Sequence, residues 1–301
     1  MTVDPLDVDP FATADPAARI DHLYRLRRVT HRCIVRHGES LWSHEQRYCG
    51  RLTAPTSIEN LPVPRQPAAM TADEAARLTD AHLYRLDDAA TAAAVICGAS
   101  MVDYAADVAP GIRRGWTYVE GPPAEAGLLR WADGVGYDRV GVPLTACHWG
   151  PAPEGIWLYW WADHRTVARH NMAQAGWTRR QAQQALLDMG PLTFGGIGTT
   201  LAPCPDADPA TGPAADEFAD PPAHDAPSSQ DLAELFALTA TVMASWALLT
   251  TPGAAHLITH EPDPGEAVRD HRAGLTPRPA TLATAPIDTR PLQHLYTQEQ
   301  A

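Results

Sequence analysis

The stretch VPLTACHWGPAPEGIWLYWW, Val142 to Trp161, decides the fold. Two runs rich in aromatic and apolar side chains, Val142–Trp149 and Ile156–Trp161, flank Gly150-Pro151-Ala152-Pro153-Glu154-Gly155, which has the turn chemistry of a β-hairpin. Trp149, Trp157, Tyr159 and Trp161 recur along the two arms. Trp149, Trp157, Trp160 and Trp161 could stack a base or sugar ring on one side of the hairpin only, since alternation puts one set in the core, and core packing is the default reading. The hairpin is expected at the centre of the sheet.

Working outward, residues 17–37 place Leu23, Leu26, Val29 and Cys33 at helical spacing, with Arg25, Arg28, Arg32 and Arg36 as a second stripe. This predicts an amphipathic helix with a basic face, stopped at Gly38. Residues 51–70, rich in Pro and Thr, read as a loop. Thr71 with Glu74 has the form of a capping box opening an alanine-rich helix to about Ala94. Strands are expected at Val95–Cys97, Trp116–Glu120 and Leu128–Trp131. After the hairpin, Thr178–Met189 predicts a helix, and GPLTFGGIGTTLAP a glycine-rich loop or short edge strand.

Residues 203–230 hold seven prolines and six acids with no Arg, so little apolar surface offsets the entropy of ordering them. They predict a linker. Beyond it Asp231 and Glu234 suggest a capped helix through Trp246 to Leu249, then strand His256–His260, helix Pro264–Ala273 and strand Thr281–Ala285. Asp263 and Gly274 mark the two ends of that last helix. The fold class is therefore α+β. A mixed N-terminal domain, 17–202, is built on the Trp-rich hairpin, and a small α-β-α-β unit, 231–301, follows the linker. Residues 1–16 form a disordered tail.

All 23 basic residues are Arg, and the net charge of −13 repels phosphate, so contact with nucleic acid requires a local patch. The patch at hand is Arg25, Arg28, Arg32 and Arg36, whose ordinary alternative is a solvated face or a pairing with the acids of 203–230. Five dispersed cysteines without a C-x-x-C pair fit reduced thiols in a cytoplasmic protein. Neither a signal peptide nor a membrane span is expected; Leu232–Leu249 reads as a buried helix. His256 and His260 share a strand face, and His164 and His170 follow the hairpin, but no third ligand stands at a diagnostic spacing. No metal or cofactor is implied.

Residues 36–50, RHGESLWSHEQRYCG, resemble the signature of the histidine phosphatase superfamily, in its phosphoglycerate-mutase branch, through Arg36, His37, Gly38, Glu39, Ser40, Trp42, Arg47 and Gly50. The resemblance implies His37 as phosphoryl-accepting nucleophile, Arg36 and Arg47 as phosphate clamps, Glu120 as general acid and His148 as second histidine. That family sets Arg-His-Gly at the end of a buried strand. Residues 28–35 here contain two arginines and a histidine, which suits a helix better.

The order of the whole chain is similar to a group of uncharacterised actinomycete proteins often carried on plasmids and other mobile elements. The likeness rests on GLLRWADGVGYDRVGVPLTACHWGP, GIWLYWWADHR, GPLTFGG and the segment from LFALTATVMASWALL to TLATAP. It implies a cytosolic accessory protein. The expected function is thus a binding or regulatory protein without a complete catalytic set, its partner unknown, with a protein partner left open. The alternatives are a phosphohydrolase using His37 and a nucleic-acid binder using the basic helix.

Overall fold

The hairpin of Val142–Trp161 forms as β4 (Leu144–Ala152) and β5 (Gly155–Asp163), paired antiparallel with His148 opposite Tyr159 and Trp149 opposite Leu158. The chain is seen here in a computed structural model, which describes residues 6, 15–50, 52–108, 117–118, 121–138, 141–153, 155–203 and 229–284. Among these, eight strands make one mixed sheet in the order β2-β6-β5-β4-β3-β1-β8-β7, so the hairpin lies inside it. The other strands are β1 (His82–Leu86), β2 (Thr117–Tyr118), β3 (Gly127–Arg130), β6 (Leu192–Pro203), β7 (His256–His260) and β8 (Ala280–Thr284).

Helices cover both faces of this sheet, so the default core reading of the aromatic residues holds and the one-sided stacking surface does not form. Trp149, Leu158 and Trp160 pack on one side with Trp131, under α4 (Asp88–Val108) and α7 (Ser229–Thr250). Trp157, Tyr159 and Trp161 pack on the other, under α1 (Pro16–Cys49) and α3 (Gln66–Thr79). Every one of these rings is buried. Strands covered on both sides need apolar residues at every position, which is why the hairpin is a nearly continuous apolar run.

The long helix α1 confirms the helical reading of residues 17–37 but does not stop at Gly38. Gly38 faces the Thr71 side chain, where a Cβ would come within 2.8 Å, and the helix closes instead at Gly50, whose φ of 77° is the left-handed cap. The expected loop at 51–70 contains α2 (Thr56–Glu59) and a 3₁₀ turn at Val63–Arg65, and α3 begins at Gln66 rather than Thr71. Thr71 is internal to α3 and donates back to the Pro67 carbonyl at 2.8 Å.

The expected run of helix to Ala94 is broken by β1, and the expected strand at Val95–Cys97 lies within α4. Asp87 accepts from the Ala90 amide at 2.8 Å, restarting the helix, and the alanines that follow override three strand-favouring residues. Gly98 lets α7 approach closely: a Cβ there would sit 2.7 Å from the Thr241 amide. The Trp131 indole donates to Ser245 Oγ at 3.0 Å, tying α7 to the end of β3. Among the described residues no helix is long and apolar enough to cross a membrane.

The described residues 231–284 do not stand apart as a second unit. α7 starts at Ser229, with Asp231 inside it, and β8 pairs in parallel with β1, Leu83 opposite Ala280. The N-terminal and C-terminal elements therefore share one sheet and one pair of cores. β7 and α8 (Pro264–Arg272) form as expected, with Asp263 accepting from the Glu266 amide at 2.7 Å. β6 is neither a loop nor an edge, since it pairs with both β5 and β2. The linker at 203–230 lies outside the described residues but for its ends. So does most of the tail, although Leu6 within it is buried against Ala168, Ala182 and Leu186.

The last two helices of the layer are α5 (His164–Gln174) and α6 (Arg179–Met189), each eleven residues long, joined by Ala175–Thr178. Asp163 caps α5 by accepting from the Arg165 and Thr166 amides. Thr178 and Gln181 form a reciprocal capping box on α6. Between the caps, Gly176 takes φ 69°, a left-handed conformation that closes the turn without strain.

Candidate functional site

The chemistry-bearing residues fall in two places, one enclosed and one on the surface. In the enclosed one, β4 carries His148 beneath α3, where Glu74 comes down from the helix. Neither side chain has any solvent exposure. The Trp161 indole donates to His148 Nδ1 at 2.7 Å, so that nitrogen holds no proton. Nε2 therefore carries it and faces Glu74 Oε2, while Glu74 Oε1 accepts from the Trp157 indole at 2.9 Å. Burial drives the Glu74 carboxyl toward its neutral form. The His148 ring, the Arg77 guanidinium and the Trp157 indole outweigh it and hold the pKa below the ordinary value.

Arg77 closes the top of this cluster by pairing with Asp73 and donating to the Pro151 carbonyl at 3.0 Å. Its stem lies on Gly150, where a Cβ would come 2.8 Å from Arg77 Cγ, so the residue at 150 is held to glycine. The network uses every polar atom of the imidazole and carboxylate within the core. It orders α3 on the hairpin and leaves no group facing a substrate.

The described residues of the phosphatase resemblance are spread between the surface of α1 and the core. Residues 28–36 are helix, and Arg36, His37 and Arg47 all lie along α1, with Arg36 and Arg47 exposed and His37 half-buried. His148 is sealed in the core with both ring nitrogens engaged. Glu120 lies outside the described residues. Trp42 of the same motif is a core residue, edge-on to Tyr159 at 5.1 Å between ring centroids.

The surface place is the basic face of α1, which the structure divides in two. Arg28 turns toward α8, pairing with Glu266 at 2.5 Å and Asp270 at 2.8 Å. Arg27, which belongs to neither sequence stripe, is fully buried against Asp270 at 2.5 Å and donates to the Ala81 carbonyl at 2.7 Å. Arg25, Arg32 and Arg36 remain exposed, and among the described residues no ion pair engages them. Arg32 follows Arg25 by two helical turns, with Val29 between them, and Arg36 follows by one, forming a ridge of cations along one face of α1.

Other candidates resolve into structure. His164 Nδ1 contacts the Gly190 carbonyl at 2.9 Å, and burial lowers its pKa. His170 is half-buried on α5; His256 and His260 are exposed on β7. Among the described residues no group of three or more His, Cys, Asp or Glu is placed to hold a metal. Cys33, Cys97 and Cys147 are buried free thiols, and burial pushes Cys33 up to about 11, out of the nucleophilic range. An open depression of about 390 Å³, lined by Thr56, Ser57, Asn60 and Pro153, presents no ionisable group.

Sequence reasoning missed Glu74 as the partner of His148 and Arg27 as the buried member of the basic helix. Its only hint was an acid with helical context at 74 and an Arg off both stripes. No family model, curated protein or solved structure matches this chain.

Proposed function

We propose that this chain is a non-catalytic binding protein whose partner is a nucleic acid, gripped at its phosphates by Arg25, Arg32 and Arg36. The observation that carries the reading is the division of α1's arginines. Two are consumed by acids of α8, whereas three at helical spacing stay exposed with no described carboxylate on them. In a chain of net charge −13, a ridge of guanidiniums is a local reversal of sign, and Arg is the side chain that matches phosphate oxygens with paired donors. The polar core around His148 supports the non-catalytic half of the reading, because its acid and base are spent on each other.

Fluorescence anisotropy with labelled duplex and single-stranded DNA, titrated over a range of salt, tests it. Binding is expected to weaken with a linear log–log salt dependence. Replacing Arg25, Arg32 and Arg36 together by Ala is expected to weaken binding and flatten the slope by about one for each phosphate no longer neutralised. No binding at low salt, or an unchanged slope in the triple variant, overturns the reading.

A further inference from the structure

α5 and α6 are built as a two-helix unit with its own small core. Ala168 of α5 and Ala182 and Leu186 of α6 are buried together with Leu6, and Met172 and Trp177 pack against them. This cluster is separate from the two that flank the sheet. The connection of four residues with a left-handed glycine is the form that sets two short helices at a fixed angle in helix–turn–helix units.

The face of α6 turned away from that core is exposed at Arg179, Arg180, Gln181, Gln184, Leu187 and Asp188. Its capping box makes the first turn rigid, and the Gln184 amide is steadied by Asp188 Oδ1 at 2.9 Å. Arg and Gln are the side chains that pair with two acceptors of guanine and with the donor–acceptor edge of adenine in the major groove. Of the arginines of the unit, Arg165 is paired with Asp163 and Arg169 donates to the Leu6 carbonyl, while Arg179 and Arg180 stand exposed in the first turn of α6, whose one acid is Asp188.

The unit also abuts the arginine ridge. Gly190, directly after α6, lies against Val29, where a Cβ would meet Val29 Cγ1 within 2.4 Å. Val29 sits on α1 between Arg25 and Arg32, so the ridge runs past the C-terminal end of α6. A helix with base-reading side chains then has phosphate-binding cations beside it, the division of labour that DNA readers use.

We infer that α5 and α6 form a helix–turn–helix that places α6 in the major groove of duplex DNA, with Arg180 and Gln184 reading base edges. This rests on the nucleic-acid reading above and adds the substrate class, double-stranded DNA read by sequence. An acidic protein surface would satisfy the charge alone, but it has no use for a glutamine face.

The test selects from a random-sequence duplex pool with the full-length protein, then compares the enriched duplex, a scrambled duplex, double-stranded RNA and polyglutamate. The wild type is expected to enrich one sequence and to prefer it over the others. Arg180→Ala and Gln184→Ala, exposed changes that leave the thermal midpoint in place, are expected to lose roughly 10- to 100-fold on the enriched duplex with little change on the scrambled one. Duplex binding that enriches no sequence, preference retained by both variants, or tighter binding to polyglutamate or RNA overturns the helix–turn–helix. Loss of all salt-dependent binding would fail the nucleic-acid reading itself. Intact binding with α6 variants indistinguishable from wild type fails only this inference.

Discussion

His148 on β4 and Glu74 on α3 meet with neither side chain reaching solvent, and the Trp161 indole at 2.7 Å fixes which imidazole nitrogen bears the proton. The contact joins the central hairpin to the helix above it. Removing one partner leaves the other polar group buried without compensation, which costs about 3–5 kcal/mol. His148→Ala is therefore expected to lower the free energy of unfolding in urea by about that amount. Glu74→Gln keeps the volume and an acceptor for Trp157, so it is expected to cost less. Equal stability of His148→Ala and wild type would remove the pair from any structural role.

Buried titratable groups, Glu74 among them, make stability depend on pH at both ends of the range. Burial holds the His164 pKa below its ordinary 6.5, so the unfolded chain binds that proton first and stability starts to fall as pH drops below 6.5. Glu74, depressed below 4.5, contributes stability above that value that is lost as pH falls through its folded pKa. At the other end, burial pushes the Tyr24 and Tyr84 hydroxyls from 10.0 up to about 12. Stability is therefore expected to decline as pH rises from 10 toward 12. Thermal midpoints across pH check both arms: Glu74→Gln should flatten the acid arm below 4.5, and Tyr84→Phe the alkaline one.

Period and turn chemistry in the sequence pointed to the hairpin, α1, α6, β7 and α8, because each is a local pattern of spacing, turn or cap residues. Besides misplaced helix ends and the short helices of 51–70, three long-range features escaped it. β1 is five residues between two alanine-rich helices, and what makes it a strand is pairing with β3 and with β8, 197 positions away from Leu83 to Ala280. That pairing also merges the expected C-terminal unit into the main sheet. Helices on both faces decide that the hairpin shows no outer aromatic surface, and their one trace within residues 142–161 is the nearly continuous apolar run, which does not say which elements cover it. The candidate site was half legible: the Arg stripe was visible, but which of its members α8 would neutralise depended on Glu266 and Asp270.

Gly127 begins β3 under the Trp149 ring, and a Cβ there would lie 2.2 Å from Trp149 Cζ2. Trp149 cannot retreat, since it is packed by Tyr84 at 5.6 Å and Trp246 at 5.4 Å between centroids and its indole donates to the Ala124 carbonyl at 2.9 Å. Gly127→Ala is expected to destabilise by about 1–3 kcal/mol through overpacking, with an altered near-ultraviolet tryptophan signal. Gly141→Ala, in an exposed turn with nothing within 4 Å but φ 79°, tests backbone strain without a clash.

Arg27 and Asp270 lock α1 to α8 at a point where both side chains are fully buried. Burying two ions costs solvation that their attraction roughly offsets, so the pair adds little net stability, yet either ion alone is stranded. Asp270→Ala is expected to cost about 3–5 kcal/mol, because Arg27 loses its partner and Arg28 one of its two. Arg27→Met with Asp270→Leu should recover most of that loss, giving a large coupling energy in the double-mutant cycle. The exposed ridge of Arg25, Arg32 and Arg36 is untouched by the double change, and its orientation depends on α1 staying seated. The double variant should then keep the wild-type salt slope for duplex DNA, whereas Asp270→Ala should lose binding only as it unfolds. A salt slope that fell in the folded double variant would instead make Arg27 and Asp270 part of the binding surface.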